Sequence, residues 1–125
     1  MLTRSEEEIM YLLWDVGEPL TSSEIVKMSE NRSWKKSYIN LLVNSLLNKG
    51  MIKVVGVKQM TKNYARTFEP TMTRNAFSIK QITEKEGFNE DSIPALFSEL
   101  IQNTTNKDIL GELESLLKQR ISEIG

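Results

Sequence analysis

The chain has 125 residues, 16 Lys or Arg against 17 Asp or Glu, and neither cysteine nor histidine. This removes a disulfide framework, thiolate and imidazole metal sites and the commonest general base, so a cytoplasmic, non-enzymatic protein with no metal and no cofactor is expected. No apolar run is long enough to span a bilayer, and acids at Glu6, Glu7 and Glu8 break the first apolar stretch, so neither membrane insertion nor a secretion signal is expected.

The charge is segregated. Residues 1–31 hold two basic and seven acidic side chains, residues 32–66 eight basic and none acidic, and residues 67–125 six basic and ten acidic. An acid-free basic block suits a polyanionic partner, although a solvated basic face has the same composition.

The first predicted helix covers residues 6–16. Ser5 and Glu8 form a capping box, and Ile9, Leu12, Leu13 and Val16 form its buried stripe. Met10 and Trp14 lie off that stripe and need a second surface. Gly17 and Pro19 end the helix. Thr21-Ser22-Ser23-Glu24 is a second capping box, opening a helix to residue 28 or 29 with Ile25, Val26 and Met28 available for the core. Residues 29–32 are polar and read as the turn between helices.

The third helix is predicted over 33–47, capped by Ser33, with Ile39, Leu42, Val43, Leu46 and Leu47 at the spacing of a helix docked on a core. Its other face carries Ser37, Leu41, Asn44 and Asn48, with Tyr38, Asn40 and Ser45 beside it. Amides and hydroxyls read base edges, Lys35 and Lys36 in the first turn reach phosphates, and Ser33 at the helix start is counted with them among the DNA-binding candidates. Two strand-like runs, 51–58 and 63–68, flank a polar turn and make a basic hairpin, with Lys58 and Lys62 near its tip for phosphate contact. Helix, turn, helix and basic hairpin together predict a winged helix, closed by Pro70.

Beyond residue 71 the composition turns acidic and helical. Helices are predicted over 73–86, with Phe77 and Ile82 inward and Gly87 as the stop, over 91–102, with Pro94 in the first turn, and over 106–123. Some fifty residues of short helices do not enclose a core. Pairing with a second chain in a two-fold dimer is expected, through Phe77, Leu96, Phe97, Leu100, Leu110, Leu113, Leu116, Leu117 and Ile121. The alternative is that these helices fold back on their own chain. The expected class is therefore mainly α with a small β hairpin (α+β): a winged helix-turn-helix over 1–70 and a helical dimerisation region over 71–125.

Glu7 to Trp14, Leu20 to Ile25, Ser33-Trp34 and the run Leu46-Leu47-Asn48-Lys49-Gly50-Met51-Ile52 with Leu42 before it resemble the penicillinase repressor family. The resemblance implies a homodimer that represses transcription from a palindromic double-stranded DNA operator, controlling β-lactam resistance or cell-envelope stress genes. It also brings a membrane sensor protease pathway, which cuts such repressors in their dimerisation region. The chain departs from the family in three places. It lacks the cysteines of the copper-sensing branch. Lys35, Lys36, Tyr38, Asn40 and Leu41 stand at the reading positions in place of the usual residues, so the operator sequence does not carry over, although Leu41 suits a thymine methyl. The bond matching the cleavage point is Leu96–Phe97, without the preceding Asn. On the residues alone two other functions stand beside the repressor. One is a winged-helix adaptor docking an acidic protein. The other is a ligand-responsive regulator of another winged-helix family, with Trp14, Phe77 and Phe97 lining a cavity.

Overall fold

A computed structural model describes all residues, 1–125, as six α-helices and one antiparallel hairpin. The first helix, α1 (Arg4–Val16), begins two residues earlier than expected. Thr3 caps it, with the Thr3 hydroxyl accepting the Glu6 N–H at 3.2 Å and a Glu6 carboxylate oxygen accepting the Thr3 N–H at 2.8 Å. Two overlapping capping boxes are written in this stretch, and the fold selects Thr3/Glu6 because Glu8 is drawn to Ser33 instead. Gly17, at φ 76°, takes the left-handed turn that ends α1.

Ile9, Met10 and Leu13 are buried, and Leu12 and Val16 lean on the core. Met10, expected off the stripe, is fully enclosed because α1 packs against α2 (Ser22–Met28), α3 (Ile39–Asn48) and the hairpin at once. The Thr21/Glu24 capping box opens α2 as read. Ile25 is buried and Val26 half-buried, but Met28 is exposed, since it ends a two-turn helix where the chain bends away at Ser29.

The third helix starts later than residue 33. Residues 33–35 run outside the helix, a 3-10 turn covers Lys36–Tyr38, and α3 proper follows. Ser33 is not the cap: its N–H and hydroxyl both donate to Glu8, at 2.9 and 2.6 Å. Burial of Trp34 in the core then holds the chain extended at Lys35 (φ −78°, ψ 145°). From Ile39 on the expected stripe holds, with Val43 and Leu46 buried.

The hairpin pairs β1 (Ile52–Gln59) with β2 (Tyr64–Pro70). β1 runs one residue past its expected end, to Gln59, and β2 two residues past its own, to Pro70. The register shifts between Val54, opposite Phe68, and Gly56, opposite Thr67, so Val55 is an extra residue in a bulge. Leu20 bridges to Phe68 on the outer side of β2, with backbone hydrogen bonds of 3.1 and 2.8 Å, and Phe68 is buried in the core.

The segment after β2 stays with the N-terminal part. The Trp14 indole N–H donates to the Met72 carbonyl at 2.9 Å. In α4 (Arg74–Thr83), Phe77 is buried with its ring 5.5 Å from Trp14, and Arg74 pairs with Asp15 over the Tyr11 and Trp14 rings. Two compact units result, Met1–Gln81 and Ile82–Gly125. Residues 71–81, expected with the C-terminal helices, thus fold with the first unit. α4 ends at Thr83 rather than 86, and Ile82, expected inward, is exposed because no core continues past Phe77.

In the second unit a 3-10 turn (Glu90–Ser92) leads into α5 (Ile93–Gln102), with Pro94 in its first turn. Asn106 caps α6 (Lys107–Ile124), its amide oxygen accepting the Asp108 N–H at 2.9 Å. No side chain between residues 82 and 125 is buried. No helix is long and apolar enough to cross a membrane.

Candidate nucleic-acid interface

The outward face of α3 is exposed along its length. Ser37, Tyr38, Asn40, Leu41 and Asn44 all reach solvent, and Leu41 is 67% exposed. The face holds two amides, two hydroxyl groups and one isobutyl group, and no acid. Such a surface presents hydrogen-bond donors and acceptors without repelling a phosphate backbone. Lys35 and Lys36, also exposed, stand at its N-terminal end and form no ion pair.

A polar lock on the inner side of α3 sets its orientation. Glu6 is buried, and its carboxylate accepts from the Ser45 hydroxyl at 2.5 Å and the Lys49 ammonium at 2.7 Å. Burial alone would raise the acid's pKa. The hydrogen bonds from Lys49, Ser45 and Thr3 outweigh it and bring the group down from 4.5 to about 2. The Lys49 ammonium also reaches the Met1 carbonyl at 3.0 Å. Ser45, expected beside the reading face, therefore belongs to this lock, and so does Lys49. Charged on both sides and tied to α1, the pair fixes α3 about its axis, because a turn of the helix would bury an unpaired charge.

The basic block is partly spent within the molecule. Arg32 folds back over the Trp34 ring, 5.3 Å from its centre, and donates to the Val26 and Ser29 carbonyls. In the hairpin, Lys53 lies 3.6 Å from Glu69, and Lys58 lies 2.6 Å from Glu24 at the start of α2. Arg66 sits over the Phe68 ring. Lys62 remains exposed on the hairpin turn, where the Met60 N–H closes on the Asn63 carbonyl at 2.6 Å.

Of the residues expected to meet DNA, the structure groups Lys35, Lys36, Ser37, Tyr38, Asn40, Leu41 and Asn44 on and before α3 and places Lys62 on the turn. Two are otherwise engaged. Ser33 is tied to Glu8, and Lys58 is held by Glu24 rather than standing at the tip. The sequence reading missed Glu6, Glu8 and Glu24 as organisers of the surface. All three lie outside the basic block, and the capping patterns at Ser5 and Thr21 marked Glu8 and Glu24 only as helix caps. Among the residues expected to dimerise, Leu96, Leu100, Leu116, Leu117 and Ile121 are exposed, and Phe97, Leu110 and Leu113 are half-buried. Phe77 is corrected: its ring is buried against Trp14 in its own chain, because the segment from Met72 onward is anchored to α1.

Comparison with known proteins gives three results. No curated protein matches the chain. Among solved structures, the adhesin competence repressor AdcR from Streptococcus pyogenes is 18% identical, with 98% of this chain and 80% of that one covered at a TM-score of 0.44. NMB1585, a MarR family regulator from Neisseria meningitidis, is also 18% identical, with 99% and 82% covered at the same TM-score of 0.44. The family profile described as "Penicillinase repressor" matches residues 2–119. The chain belongs to the penicillinase repressor family and is a winged-helix, DNA-binding transcription regulator, not an enzyme.

Proposed function

We propose that the protein acts as a homodimeric repressor in the cytoplasm, occupying a palindromic operator and excluding polymerase. The observation that carries this reading is the exposed, acid-free face of α3, held in one orientation by the Glu6 lock and headed by Lys35 and Lys36. Asn40 and Asn44 read base edges in the major groove, Leu41 contacts a thymine methyl, and Lys35, Lys36 and Lys62 contact phosphates. Dimerisation is supported by the uncovered faces of α5 and α6, where Leu100, Leu116 and Ile121 are all more than 60% exposed in a single chain. Two-fold symmetry then requires half-sites about one helical turn apart, ~10 bp.

The regulated genes in this reading are those of β-lactam resistance or cell-envelope stress, with a membrane sensor protease pathway as the source of induction. The Leu96–Phe97 bond lies inside α5, so a protease reaches it only after that helix opens locally.

The test is a gel shift on the chain's own upstream region beside random duplex, across a salt series. Asn40→Ala and Asn44→Ala should each weaken operator binding about tenfold or more while leaving random duplex nearly unchanged. Lys36→Ala should weaken both alike and reduce the salt slope by about 0.9. Equal losses on both duplexes for the Asn variants would sink the reading of α3, and no shift at low salt would favour the protein-adaptor function.

A further inference from the structure

Lys58 is the one hairpin lysine held by an acid that cannot follow it outward. Its ammonium donates to Glu24 Oε2 at 2.6 Å, joining β1 to the first turn of α2. The other oxygen of that carboxylate accepts the Thr21 N–H at 2.9 Å, and Thr21, the cap of α2, is fully buried. Glu24 is thus anchored at both oxygens, one to backbone and one to the wing. Each partner registers the other. The hydrogen bond from Lys58 lowers the Glu24 carboxyl below its ordinary value, and the hydrogen bond to Glu24 raises the Lys58 ammonium above its own, so both are charged at neutral pH.

We propose that Glu24 sets the protein's affinity for DNA by withholding Lys58: the anchored carboxylate competes with phosphate for that ammonium, so the wing meets the duplex with one cation fewer than its sequence suggests. This rests on the DNA-binding reading above. Transferring Lys58 to a phosphate would leave Glu24 fixed, unpaired and close to a polyanion. That cancels the attraction a lysine normally brings, so the pair as a whole contributes nothing to binding. Glutamine at position 24 keeps the capping hydrogen bonds, because Gln serves the third helical position of a capping box as Glu does. It removes only the charge that holds Lys58.

The experiment is fluorescence anisotropy of the full chain on a random-sequence duplex over a KCl series, with the fold of each variant checked by circular dichroism melting. Glu24→Gln should bind about fivefold tighter at low salt, the ceiling for an exposed pair, with a salt slope steeper by up to about 0.9. The double variant Glu24→Gln, Lys58→Gln should return to wild-type affinity within about twofold, because the pair it removes was silent. A double variant weakened as much as Lys36→Ala, or a Glu24→Gln variant with no gain, overturns the proposal. A measurement on the wild-type chain stands independently of those variants: on saturation with duplex the side-chain NH3+ resonance of Lys36 should shift and that of Lys58 should stay, and movement of Lys58 overturns the proposal. Wild-type protein that binds no duplex at low salt overturns the DNA-binding reading and this proposal with it.

Discussion

The two units of this chain dispose of their apolar side chains in opposite ways. Residues 1–81 enclose Ile9, Met10, Leu13, Ile25, Leu46 and Phe68 almost completely, with a buried carboxylate lock beside them. Residues 82–125 bury nothing, although α5 and α6 carry Leu100, Leu116 and Ile121 on their surfaces. One unit is finished within a single chain, and the other, in the dimeric reading proposed above, is finished by a partner. The same substitution should therefore mean different things in each. Leu46→Ala should lower unfolding free energy by about 3 kcal/mol at any protein concentration, since it leaves a cavity in a closed core. Leu116→Ala should leave the first unit's denaturant midpoint in place and raise the concentration at which dimers form, read by sedimentation. Equal, concentration-independent losses for both variants would erase the contrast.

What was legible in sequence is local in both units. The helices α5 and α6 lie within two residues of their expected bounds, and in the first unit the Thr21/Glu24 box and the Val43, Leu46 stripe are where the pattern puts them. What failed depends on contacts across the chain. Thr3 and Ser5 both begin capping boxes, and the choice is made by Ser33, Ser45 and Lys49, which claim Glu8 and Glu6 from far away. Lys58 reads as a tip cation until Glu24, 34 positions earlier, is seen beside it. Phe77 sits in a helical segment that reads as dimerisation region, yet Trp14 takes it. Periodicity reports which face of a helix is apolar. It does not report which surface will cover it.

The buried lock gives the first unit a pH signature of its own. Glu6 titrates near 2 in the folded chain and near 4.5 when unfolded. Because the folded value is depressed, its stabilisation is complete above about 4.5, declines as the pH falls, and is gone below about 2. The difference corresponds to about 3 kcal/mol. Thermal melts between pH 5 and 2 should show that loss, and Glu6→Gln, which keeps the capping geometry, should flatten the Glu6 part of it while being less stable at neutral pH. An unchanged acid profile in Glu6→Gln would remove the lock from the account of how α3 is held.

Phe77 lies just before the division between the units and sharpens where it falls. Phe77→Ala should destabilise the first unit by about 2 kcal/mol, below the range for a fully enclosed Phe because its helix forms the margin of the core. Dimer dissociation should not change by more than about twofold, since the ring faces Trp14 in its own chain. The reverse pattern, intact stability with weakened dimers, would return Phe77 to the interface and move the division back toward residue 70.

The smallest effect separates two ion pairs inside the first unit. Lys49–Glu6 and Lys53–Glu69 join the same kinds of residue, but the second spans 3.6 Å with side chains 58% and 37% exposed, whereas the Glu6 side chain is 2% exposed. In water the attraction is weak and two long side chains must be ordered to gain it. Lys53→Gln should therefore change unfolding free energy by less than about 0.5 kcal/mol, and that small effect should shrink further as salt rises from about 50 to 500 mM, because exposed charges are screened. A loss above about 1 kcal/mol would mean that exposed charges, and not the single buried carboxylate, hold the hairpin and helices of this unit together.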